Sequence, residues 1–242
     1  MNRNGMRGLC VALALFCIAG CGDKQANTVP KQAPKVIATE VPAGQEMTLF
    51  PMVVGNQWIY NVESALQTPQ GSKSGTQEAT FRISEVKPFH DGKTCTLEVI
   101  TAGKVTEKSS WSIDSKGIYQ NTAGTPPVPY NPPQPVMTFP PKKGSKFTWN
   151  GVGKRNVGAN GPIKANSTIL GPQEVDTDMG RMSAIAVETR ATWSDKNVEY
   201  QMASTVWWAP GVGIVRYLQV VGSKDGTSSV LLRLKSHSLK SQ

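Results

Sequence analysis

From residue 47 to residue 242, apolar side chains return at every second position, and this period of two limits the fold more than any other feature. In "VEYQMASTVWW", Val198, Tyr200, Met202, Val206 and Trp208 share one face; in "MSAIAVETRATW", Ile185, Val187, Ala191 and Trp193 do so. "TFRISEV", "TCTLEVI", "SSWSID", "GIVRYLQVV" and "SSVLLRL" behave alike, while helical periodicity is scarce. Polar turns separate these runs: Asp91-Gly92, Ser115-Lys116-Gly117, Asp195-Lys196-Asn197 and Lys224-Asp225-Gly226, residues that tolerate the positive φ of tight hairpins. The pattern predicts an all-β domain, an antiparallel meander of about ten strands. Twist accumulates across so long a sheet, so the expected form is a strongly curved sheet or incomplete barrel with its apolar face inward.

One stretch breaks the alternation. Asn121–Gly144, "NTAGTPPVPYNPPQPVMTFPPKKG", holds eight prolines. Proline cannot donate to a ladder, so the segment is expected as an extended loop crossing an edge or an open mouth.

The N-terminus differs from the body. Arg3 and Arg7 precede an apolar run of eleven residues, Leu9–Ala19, which is short for a membrane span and has the form of a secretory signal peptide over residues 1–20. Ile18-Ala19-Gly20-Cys21 resembles the bacterial lipobox. That resemblance implies a diacylglycerol thioether on Cys21, cleavage before it, and anchoring to membrane lipid by two or three acyl chains. Gly22 follows the cysteine where an aspartate would favour inner-membrane retention, so the expected location is the outer membrane, facing the periplasm. Residues 21–46 carry the lipidated cysteine and a linker rich in Pro, Ala, Gln and Lys without an aromatic residue. Cys10 and Cys17 leave with the signal, so Cys95 is the body's single thiol. It alternates with Leu97 and Val99 and reads as a buried small hydrophobe.

Two motifs bracket the body: "VGNQWIY" (Val54–Tyr60) and "WWAPGVGIVRY" (Trp207–Tyr217). Pro210-Gly211 suits the centre of a type II turn, and Gly213 suits a close approach by a large side chain such as a tryptophan. A G-x-x-W-x-Y start with a late W-x-x-P-G-V-G-x-V hairpin resembles a group of uncharacterised bacterial envelope lipoproteins. More loosely, the pattern is similar to the curved-sheet lipoprotein carriers of the LolA and LolB kind. Neither resemblance implies a catalytic or binding residue.

Net charge is +9, and losing Arg3 and Arg7 with the signal leaves +7. No acidic residue lies between Asp114 and Glu174, an interval that holds Lys116, Lys142, Lys143, Lys146, Lys154, Arg155 and Lys164. Tyr119, Tyr130, Phe139, Phe147 and Trp149 stand among them. Lys142, Lys143, Lys146, Trp149, Lys154, Arg155 and Lys164 are the candidate interaction surface, suited to an anionic envelope lipid or polymer or to an envelope protein. Nucleic acid is not an expected partner of a secreted, lipid-anchored chain.

Catalytic signatures are missing from the body: no P-loop, GxSxG, HExxH or CxxC, and only His90 and His237. Asp176 and Asp178 in "EVDTDMG" lack the later ligands of a calcium loop and read as a turn. No cofactor is expected. The favoured class is therefore a tethered, non-enzymatic binding module. The alternatives are a carrier enclosing a lipid or acylated ligand, which needs an apolar cavity of roughly several hundred Å³, and a hydrolase, which needs clustered carboxylates.

Overall fold

A computed structural model describes residues 41–240, so Cys21, the signal and nearly all of the linker lie outside the described residues. A short 3₁₀ turn, Glu46–Leu49, precedes twelve strands. In chain order they are β1 Gln57–Thr68, β2 Gly71–Phe89, β3 Gly92–Thr101, β4 Lys104–Asp114, β5 Gly117–Ala123, β6 Val128–Thr138, β7 Lys146–Gly153, β8 Gly161–Thr177, β9 Gly180–Asp195, β10 Val198–Ala209, β11 Gly213–Ser223 and β12 Gly226–Ser238. Each pairs antiparallel with its sequence neighbours, and β12 pairs with β1. The all-β meander is thus present, with twelve strands rather than about ten, and the curved sheet closes into a barrel.

The extra strands come largely from the proline-rich stretch. Its residues Val128–Thr138 form β6 rather than a loop. The missing N–H groups show in the pairing: β6 changes register twice against β5 and meets β7 in a single pair, Asn131↔Val152. Side chains close that seam instead. Trp149 Nε1 donates to Pro132 O (3.0 Å), Tyr130 Oη donates to Lys154 O (3.3 Å), and the two rings meet edge to face at 5.8 Å.

Twelve strands enclose more space than their own side chains readily fill, since about eight already give a side-chain-filled interior. The segment before β1 supplies the difference at one end. Leu49, Phe50 and Met52 are buried there, and Phe50 packs against Trp58, Trp111 and Trp208 at 6.2, 5.7 and 5.6 Å. Gly211 N donates to Thr48 O, and the fully buried Asn56 donates from Nδ2 to Pro51 O. At this plugged end the two sequence motifs meet: Trp58 Nε1 donates to Val212 O (2.6 Å) and Tyr60 Oη to Ile214 O (2.7 Å). Gly211 has φ +75°, as the type II turn requires, and Trp58 lies over Gly213 as expected of a close approach.

The interior is layered. Facing pairs put Ile169, Val187, Val206, Tyr217 and Leu232 in one inward row and Ala165, Ala191, Met202 and Val221 in another, and these rows belong to two separate apolar clusters. Between them runs a polar row, Ser167, Thr189, Ser204 and Gln219. It is satisfied from within: Ser167 Oγ and Thr189 Oγ1 lie 2.8 Å apart, and Asn156 Nδ2 donates to Gln219 Oε1 at 2.8 Å. Buried hydroxyls need such partners, so the row fixes the register in which the layers stack.

Outside, Arg82, Glu98 and Lys108 face one another across β2, β3 and β4. Arg82 Nη2 and Lys108 Nζ reach the Glu98 carboxylate at 2.7 and 3.0 Å. The hydrogen bond from Arg82, then that from Lys108, holds the Glu98 carboxyl below its usual range, against the opposing effect of burial. A depressed carboxyl stabilises the fold above its unfolded pKa and loses that contribution as pH falls through its folded value. Glu98→Gln is therefore expected to lower the urea midpoint at pH 7, with the gap to wild type closing on acidification. A gap that stays constant down to about pH 2 contradicts the ion-pair origin.

Candidate interaction surface

Strand alternation decides which basic residues can act. On β7, Lys146, Thr148, Asn150 and Val152 point outward, whereas Trp149 points inward and is 5 % exposed. Register places Thr168, Asn166, Lys164 and Pro162 of β8 opposite those four outward residues. On β9, Arg190 and Thr192 face Asn166 and Lys164 in turn. The result is an outer face of cations with hydroxyl and amide side chains between them. Lys146 and Lys164 stand on it about 14 Å apart along the strands, four residues at roughly 3.4 Å each.

The seven sequence candidates do not form one patch. Lys142 and Lys143 lie in the β6–β7 connection at the plugged end, and Lys143 rests against Gly171 of β8, prolonging the line that Lys146 and Lys164 begin. Lys154 belongs to the β7–β8 connection at the opposite end and lies against Gly124, away from that face. Trp149 and Arg155 are corrections: both are buried, Trp149 bonded to Pro132 O and Arg155 through Nη2 to Pro162 O. Thr148, Asn150 and Asn166 are the members that sequence reasoning missed. Their signal was available in the phase opposite Phe147 and Trp149.

No ion pair within 4 Å reaches Lys142, Lys143, Lys146, Lys154 or Lys164 among the described residues. Glu188, which register places opposite Thr168 on this face, is held by Arg190 at 2.7 Å. Such a surface attracts anions by charge and orients them by hydrogen bonds, with a strength that falls as salt rises.

The other candidates have structural employment. Cys95 faces Trp111, is 3 % exposed, and burial pushes its thiol up to about 12, so it is not a thiolate at neutral pH. Asp176 pairs with Arg181 at 2.9 Å, and Asp178 accepts from Asn61 and faces Arg233 at 3.5 Å. Among the described residues no three His, Cys, Asp or Glu side chains gather as a metal would require. Two open hollows of about 220 and 290 Å³ lie beside Ser72 and Thr227 and beside Val86 and Lys93. Neither is lined by a residue buried in the two apolar clusters.

No family model matches the chain, and no curated protein does. Among the solved structures that resemble it are three at low identity. A "putative lipoprotein" from Parabacteroides distasonis ATCC 8503 is 12% identical with TM-score 0.49, covering 78% of this chain and 98% of its own. A "putative exported protein with YmcC-like fold" from Bacteroides fragilis NCTC 9343 is 14% identical with TM-score 0.43, over 78% and 98%. The "hypothetical lipoprotein YmcC" from Escherichia coli (K12) is 9% identical with TM-score 0.34, over 76% and 89%.

Proposed function

We propose that this chain is a lipid-anchored protein of the bacterial envelope, held in the outer membrane by acylated Cys21, whose barrel serves as a non-enzymatic binding module. The observation that carries the reading is the line Lys143, Lys146 and Lys164, cations without ion pairs among the described residues, beside the hydroxyls and amides of β7 and β8. Its partner is an anionic envelope surface, lipid headgroup or polymer. Two apolar clusters of buried side chains, one closed off by Leu49, Phe50 and Met52, support a module over a carrier of acyl chains.

The test uses the full chain with Cys21→Ser, which removes the anchor. It is expected to leave the membrane fraction, to bind phosphatidylglycerol vesicles or soluble polyglutamate at low salt, and to release them at high salt. Lys146→Glu with Lys164→Glu should abolish that binding without changing the unfolding midpoint. Indifference to both probes defeats the module. Co-purified lipid seen as added mass in native mass spectrometry favours the carrier.

A further inference from the structure

We propose that Arg155 is the anchor of a specific site for one oxyanion group, carboxylate or phosphate, at the end of the barrel opposite the plug. The site is distinct from the outer face and stands without it. Arg155 is 9 % exposed, yet no carboxylate lies within 4 Å of it among the described residues. Nη2 donates to Pro162 O at 3.0 Å, and Nε is buried with no hydrogen-bond partner. A guanidinium taken out of water without a counter-charge is costly, and its planar fork matches a two-oxygen anion.

The surrounding loop holds this arrangement in place. Residues 154–160 are fixed by Tyr130 Oη donating to Lys154 O, Asn156 Nδ2 to Gln219 Oε1, and Trp193 Nε1 to Val157 O at 3.1 Å. Ala159 N donates to Asp195 Oδ2 at 3.3 Å, so the carboxylate at the end of β9 is bonded to the backbone of residue 159. Gly161 completes the cradle: a Cβ there would stand 2.6 Å from Nη2 and 2.8 Å from Cζ, so the guanidinium lies directly on its backbone. A cation immobilised with an unused donor is a preorganised receptor, because its side-chain entropy is already spent before the anion arrives.

The experiment titrates the isotope-labelled full chain (Cys21→Ser) with inorganic phosphate and, separately, with acetate, at constant ionic strength. Expected are a saturable shift of the Arg155 Nε–H resonance and a rise in thermal midpoint. Arg155→Met should lose the rise, Arg155→Lys should bind at least about tenfold more weakly, and Lys116→Met, in the β4–β5 connection at the plugged end, should bind as wild type. Response to phosphate alone assigns a phosphate group; response to both assigns carboxylates as well. If the resonance does not move, or the midpoint rises equally in Arg155→Met, the site does not exist. Should Arg155→Met fail to fold, the wild-type titration decides alone.

Discussion

Replacing Trp58 by alanine is expected to cost about 3–5 kcal/mol, the range for emptying a buried tryptophan site. Trp58 is 2 % exposed and touches Phe50 of the plug at 6.2 Å. Its Nε1 also holds Val212 O, just beyond the Pro210-Gly211 turn between β10 and β11. One side chain therefore joins the first strand, the plug and the eleventh strand. Domains of this kind have about 5–15 kcal/mol in total, so at least about a fifth of the stability is at stake. Trp58→Phe separates the two contributions: it keeps most of the apolar area and should lose only about 1 kcal/mol for the hydrogen bond. Urea unfolding of both variants checks this. Equal losses would mean that the hydrogen bond, not the packing, joins the motifs.

The layering of the interior was readable along each strand but not across strands. Ile185, Val187, Ala191 and Trp193 turned inward as expected, as did Tyr200, Met202 and Trp208. The positions that broke the apolar series, Thr189 and Ser204, face each other and join Ser167 and Gln219 in the buried polar row. Periodicity reports the face of a residue and says nothing about its partner on the next strand, because a register depends on contacts far apart in sequence. Closure was hidden for the same reason: β1 meets β12, as in Trp58↔His237, and no local pattern announces that pairing.

The candidate surface was half legible. The absence of acid between Asp114 and Glu174 pointed to the right third of the chain, and Lys146 and Lys164 do share a face. Counting charges along a segment ignores the alternation within it, which sends Trp149 inward between Thr148 and Asn150. It also ignores the end at which each loop lies, which separates Lys142 and Lys143 from Lys154. Burial of Arg155 had no sequence signal beyond Gly161, six residues on, whose missing side chain makes room for it.

Gly153→Val is expected to open the barrel at its weakest junction, with a loss of about 2–4 kcal/mol from overpacking and a displaced aromatic pair. A Cβ at Gly153 would stand 2.2 Å from Tyr130 Cδ1, so the ring must leave. Tyr130 then gives up both its bond to Lys154 O and its contact with Trp149. Elsewhere in the barrel a ladder would hold two strands together without such a ring, but β6 and β7 share only Asn131↔Val152. Hydrogen exchange gives the direct reading. Amides of β7 on the β6 side should lose protection in Gly153→Val while β9 and β10 keep theirs, since local opening follows the least-bonded junction. Gly222→Ala is the control, because the nearest atom to a Cβ there is Thr227 Oγ1 at 3.9 Å, an ordinary contact. If protection instead falls evenly around the barrel in Gly153→Val, the seam is not a separate weak point. The prolines of β6 would then cost the barrel less than their missing donors imply.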